Sequence, residues 1–204
     1  MVDKSGRTCH LRWRDTQGPN AMRLMGMKLF GILSALLLWP IAAQAEVQAT
    51  FYSHEFGKNF PHAFIVVKGT VDATGEVIDS NYGFTAKTAS PAVLMGSVNG
   101  IVEQQPPGYL AKSDPQITVT LDDAGYQRLM AVVETWRNWP QKSYNLNKRN
   151  CVHFVMEAAE SAGLTVNRQS RFFKKPRSFL QEVRSLNPQL QTAPTRSGAD
   201  AVSR

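Results

Sequence analysis

Tyr144-Asn145-Leu146-Asn147-Lys148-Arg149-Asn150-Cys151-Val152-His153-Phe154-Val155 reads as a polar, Asn-rich loop running into a cysteine that opens an apolar helix. The helix should end near Gly163. A helix N-terminus carries unpaired N–H groups and a partial positive charge, which bias a thiol placed there toward thiolate. Thiolate is the form that attacks carbonyls. Cys151 is therefore the candidate nucleophile, and the chain upstream is expected to bring it a base.

The 204-residue chain carries 23 Lys and Arg against 16 Asp and Glu, a formal charge of +7. Its length suits one compact domain with extensions. Part of it reads as a targeting segment. Met27-Lys28 precedes the apolar run Leu29 to Leu38, then Trp39-Pro40-Ile41, and Ala43-Gln44-Ala45 follows. A positive start, a short apolar core and an A-x-A site are the marks of a cleavable secretory signal. The run is shorter than the ~20 residues a membrane span needs. Residues 1–26, Arg-rich and without periodicity, read as an upstream extension or a mis-assigned start, with residues 27–45 as the signal peptide.

Cleavage after Ala45 would remove six basic and two acidic residues, leaving 17 against 14 and a formal charge of +3. The basic balance then says little about nucleic acid, and no nucleic-acid partner is expected. Cleavage would also remove Cys9, leaving Cys151 as the only thiol of a periplasmic or secreted protein. One cysteine cannot close an internal disulfide, and a free thiol in an oxidising compartment points to use.

From Glu46 the pattern is mixed. Val47 to Ser53 alternates like a strand, and His62 to Thr70 is a near-continuous apolar run, as in a strand buried on both faces. Asp72-Ala73-Thr74-Gly75 is turn chemistry, and Glu76 to Phe84 returns as an antiparallel strand. Residues 85–107 are broken by Pro and Gly, with room for one short helix or strand before Gly100-Ile101-Val102-Glu103. Gln116 to Leu121 is a strand. Asp122 caps a helix whose apolar face is Tyr126, Leu129, Met130 and Val133, and Pro140 stops it. A short last helix is expected from Ser178, and 187–204 reads as a flexible tail.

A cysteine nucleophile needs a base within reach and a third group to orient that base. Three histidines follow the signal: His54, His62 and His153. His153 lies two residues beyond Cys151 on one helix, and such positions do not face each other. His62 opens a rigid strand and is the expected base, with His54 in a loop as the reserve. On the returning strand Asp79 and Asn81 share a face. Asp79 is the expected orienting carboxylate, and Asn81 could do the positional work alone. The Cys151 N–H is available to an oxyanion. No cysteine or histidine spacing suggests a metal, and no glycine-rich phosphate loop suggests a nucleotide, so no cofactor is expected. The basic-aromatic run Arg171-Phe172-Phe173-Lys174-Lys175 reads as a solvated edge around core phenylalanines, with an anionic surface as the other possibility.

The order of these motifs, Phe60-Pro61-His62-Ala63-Phe64-Ile65-Val66-Val67 first and Tyr144 to Val155 last, resembles the circularly permuted branch of the NlpC-type, papain-like cysteine peptidases. The resemblance covers most of residues 46–186. It implies an α+β, papain-like fold with a small antiparallel sheet against the cysteine-bearing helix. It also implies a thiol hydrolase in which Cys151 forms a thioester and His62 moves the proton, and a monomer is expected. For exported members it suggests peptidoglycan stem peptides as substrates. Two other readings stay open. One is a catalytically silent domain binding such a ligand or a partner protein. The other is a lipid acyl hydrolase or acyltransferase, which an apolar groove leading to Cys151 would favour.

Overall fold

The structure is a computed structural model and describes residues 46–55, 61–88 and 90–191. The sequence expectations for residues 1–45, including the signal peptide and Cys9, and for 192–204 lie outside the described residues. What is described is a mixed α+β fold built on one five-stranded antiparallel sheet.

The strands are β1 (Val47–His54), β2 (His62–Thr70), β3 (Val77–Ala86), β4 (Gly100–Glu103) and β5 (Asp114–Leu121), in the order β4-β3-β2-β1-β5. The helices are α1 (Ala92–Met95), α2 (Pro107–Leu110), α3 (Asp123–Arg137), α4 (Cys151–Ser161) and α5 (Pro176–Leu186). A 3-10 turn over Pro188–Gln191 follows. The sequence pattern anticipated β1, β2, β3 and β5 within two residues or so. The one short element allowed before Gly100 is the helix α1, and Gly100–Glu103 itself forms β4.

Local chemistry explains most boundaries. The Asp122 carboxylate accepts from Gly125 N at 2.7 Å and starts α3. Such a cap contributes about 1 kcal/mol over Ala. Helix α5 begins two residues earlier than expected because Pro176 takes a first-turn position, where the missing N–H costs nothing. Helix α4 ends just before Gly163, whose φ of 84° is the left-handed conformation that terminates helices. The flexible-tail expectation starts too early. Asn187 is 1% exposed, and its side chain donates to Thr165 O and Val183 O at 2.8 and 2.7 Å.

Period-2 alternation divides each strand between two faces. Phe51, Ala63, Ile65, Val67, Phe84, Ile117 and Val119 join the main core, which also holds the apolar faces of α3, α4 and α5. Within it the Trp136 ring meets Phe84 at 4.8 Å and Phe154 at 5.6 Å, tying β3, α3 and α4 together. Truncating a fully buried Phe such as Phe154 typically costs about 3–5 kcal/mol. The opposite face carries Tyr52 stacked on Phe64 at 5.3 Å, with Tyr109 of α2 edge-on to Phe64.

The β2–β3 ladder positions the site. It runs from Thr70↔Val77 to Ile65↔Tyr82 and no further, while Gly83 to Ala86 pair instead with β4. The two central strands therefore part at His62–Phe64. That opening lies at the end of the sheet that α4 approaches.

Candidate active site

Asn150 sets up the head of α4. Its side-chain oxygen accepts from Val152 N and His153 N at 2.9 and 3.3 Å, and its amide donates to Leu146 O and Phe173 O at 2.9 and 2.8 Å. In return Nδ1 of His153 accepts the Asn150 N–H at 3.3 Å, closing a capping box. The His153 ring stacks on Phe173 at 4.4 Å. His153 thus serves the cap, in line with its spacing from Cys151.

The loop before the cap is held by a cation–aromatic sandwich. The Arg149 guanidinium lies 4.2 Å from the Trp136 ring centre and 3.1 Å from that of Trp139. Trp136 in turn donates from Nε1 to Glu157 of α4 at 2.6 Å.

Cys151 is 5% exposed, and its sulfur lies within reach of three backbone N–H groups, those of Ala63, Val152 and Cys151 itself. These donors favour the thiolate, as expected of a helix start. Burial outweighs them and pushes the thiol up to about 11. The thiolate bias expected from the helix terminus is therefore reversed: desolvation of a thiol walled in by core side chains is the larger effect. The Ala63 N–H reaches the sulfur where β2 and β3 part, at the peptide that joins Ala63 to His62.

His62 faces away from α4. It pairs in register with His54, and its ring lies 6.0 Å from Phe64 and 6.5 Å from Tyr109, on the sheet face opposite the main core. Burial lowers its pKa to about 4, with a further push from His54. Its Nε2 is buried without a hydrogen-bond partner and rests against Gly83, where a Cβ would stand 2.6 Å away. Among the described residues no hydrogen bond joins His62 to Cys151. The fold thus brings backbone beside His62 to the sulfur, while the two reactive side chains are both neutral and on opposite sides of the strand.

Asp79 is not brought to this place. The ladder pairs it with Lys68, six residues beyond His62 and hence about 20 Å along the strand. The Lys68 ammonium lies 3.1 Å from its carboxylate, and both side chains are largely exposed. Asp79 fails as orienting residue because a shared strand face says nothing about position along the strand. Asn81 stands opposite Val66, and its side chain is spent on Gln105, accepting from N at 2.6 Å and donating to O at 3.2 Å.

Sequence reasoning did not single out Gly83, Tyr109 or Ser113. Tyr109 stacks on His54 at 4.0 Å, and His54 Nδ1 meets Ser113 Oγ at 2.6 Å. Burial lowers the pKa of His54, partly countered by Asp114. The Tyr109 and Tyr144 hydroxyls are pushed up, first by burial and then by the charge a Cys151 thiolate would carry. Both stay protonated, and Tyr144 shares the cleft wall with the thiol. Only the Pro106-Pro107 pair, favourable to a helix start, hinted at where Tyr109 sits.

A cleft of about 250 Å³ opens on Cys151, walled by Pro61, Tyr144, Leu146, Val152, Phe173 and Pro176, with Asn150 and Lys174 as its polar members. Among the described residues no group of three or more His, Cys, Asp or Glu is placed to hold a metal, and no helix is long and apolar enough to cross a membrane.

No family model and no curated protein matches the chain. Among solved structures, the crystal structure of a type VI secretion system effector, TseH, is similar at a TM-score of 0.42 and 13% identity, over 73% of this chain and 88% of that one. Similarity at that level assigns neither a fold family nor an activity.

Proposed function

We propose that the chain is an exported thiol hydrolase with a permuted, papain-like arrangement, cleaving an amide or peptide bond through a thioester on Cys151. The observation that carries the reading is the Ala63 N–H at the Cys151 sulfur, on the wall of a cleft and one peptide from His62. In the resting protein thiol and imidazole are both neutral. When substrate enters, the His62 ring leaves Gly83 and turns through the gap between β2 and β3. It takes the thiol proton as sulfur attacks the carbonyl, then gives that proton to the leaving group. Backbone N–H groups at the helix head receive the oxyanion. Water resolves the thioester. For an exported protein, peptidoglycan stem peptides are the substrate class we favour.

Acylation by p-nitrophenyl acetate tests this. The sulfur attacks the ester, nitrophenolate leaves, and intact mass reports one acetyl group on Cys151 that water then removes. His62→Ala should slow acylation about 100-fold or more, the usual contribution of a positioned base. Equal rates with and without His62 would overturn the dyad, and no acylation at all would leave a silent binding domain. A second reading, a lipid acyl hydrolase or acyltransferase, draws on the apolar lining of the cleft. A strong preference for decanoyl over acetyl esters would favour it.

A further inference from the structure

The cleft has features that the hydrolase reading does not use. Its volume, about 250 Å³, falls below the roughly 300–1,000 Å³ of sites for drug-sized ligands, so it suits one side chain or a short acyl group. Its walls are apolar on nearly every side, and no carboxylate contributes to them. The one charged residue lining it is Lys174, which is exposed and has no ion pair among the described residues.

Lys174 is also fixed at the rim rather than carried on a loose loop. Lys175 N donates to Phe172 O at 2.8 Å, closing a turn around it. The preceding carbonyl, Phe173 O, accepts from Asn150, the residue that caps the Cys151 helix. Flanking Arg171 and Lys175 add positive charge without acidic neighbours in the run. One side chain, Asn150, therefore sets both the nucleophile and the cationic rim.

Resting on the reading of Cys151 as the nucleophile, we propose that this cleft is a specificity pocket for a peptide substrate: it takes a small apolar side chain, and Lys174 recognises a free carboxylate next to it. An apolar pocket supplies burial, and a lone cation at its mouth discriminates by charge. A neutral lipid ester would gain nothing from Lys174.

Alkylation of Cys151 by iodoacetate and by iodoacetamide, followed by intact mass in the full chain, reads this directly. In both reactions the S–C bond forms, iodide leaves and the thiol proton passes to solvent. The two reagents differ in charge. We expect the iodoacetate to iodoacetamide rate ratio to fall roughly threefold in Lys174→Gln, and further in Lys174→Glu, the ratio cancelling any change in the thiol itself. The effect should shrink at high salt. N-acetyl-leucine should protect the wild-type thiol better than N-acetyl-leucinamide. An unchanged ratio, or equal protection by the two, would overturn the proposal. A His62→Ala variant with a slow overall rate but an intact ratio separates failure of the base from failure of the pocket.

Discussion

The His62 imidazole rests on the bare α-carbon of Gly83: a Cβ there would stand 2.6 Å from Nε2 and 3.1 Å from Cβ of Phe64. β3 leaves β2 at this point to pair with β4, and the ring lies over Gly83 on the sheet face away from the main core. Gly83→Ala should displace it. The expected cost is about 1–3 kcal/mol, the range for overpacking a filled site, with a change of at least severalfold in Cys151 acylation. Urea unfolding and the acetylation assay measure the two effects. Wild-type acylation in the alanine variant would show that the ring's resting place is irrelevant to the chemistry.

Stability should pass through a plateau between about pH 6.5 and pH 8.5. The folded His62 pKa, about 4, lies below the ordinary ~6.5, so between about pH 4 and pH 6.5 the unfolded chain binds more protons. Stability is therefore lost as pH falls from 6.5 toward 4. Cys151, near 11 when folded against an ordinary ~8.5, releases its proton first from the unfolded chain, so stability is also lost as pH rises through that range. Thermal melts of wild type, His62→Gln and Cys151→Ser against pH check each limb. The acid limb should shrink in His62→Gln without vanishing, because burial also lowers His54 and His153.

Asn150→Ala should cost more than an ordinary helix cap. It removes two accepted hydrogen bonds, about 1 kcal/mol as a cap, and strips the donor from Leu146 O and Phe173 O. A total of about 2–4 kcal/mol is expected. Asn150→Asp keeps the cap and aims a carboxylate at two carbonyls, so it should not recover the loss. Denaturant unfolding of the pair decides whether the amide's donor side matters.

Arg149→Lys should be destabilising by about 1–2 kcal/mol despite keeping the charge, because an ammonium cannot fill a planar slot between two indoles. The tryptophan emission should shift as Trp139, 41% exposed, loses its cover. An unaltered spectrum and melting point would remove the sandwich as an anchor of the loop before Cys151.

Asp79→Asn provides the opposite case. Its ion pair with Lys68 is exposed, so stability should change by no more than about 0.5 kcal/mol. Cys151 acylation and its pH profile should be unaffected. A large loss of acylation would restore Asp79 to the site.

Much of this architecture was legible along the chain. Alternation marked β1 and β5, a near-continuous apolar run marked β2, turn residues marked the hairpin at Asp72 to Gly75, and Asp122 marked the start of α3. These signals are local, since side-chain period and capping depend on a few consecutive residues. The Asp79 expectation failed at the next level. Alternation gave its face correctly, but distance along a strand depends on register, which here pairs Asp79 with Lys68.

What the sequence by itself determined is most of the elements, though not α2, and the place of Cys151 at a helix head, because these follow from short-range periodicity and hydrogen bonding. Only the tertiary structure decided what surrounds the sulfur. Ala63 of β2 and Tyr144 of the Cys loop meet there from separate parts of the chain, while Tyr109 of α2 packs on the other sheet face against His54 and Phe64. It also decided that His62 leans on Gly83, and that burial outweighs the helix terminus in setting the thiol. Desolvation sums over every neighbour in space, and those neighbours are chosen by strand order and by where β2 and β3 part.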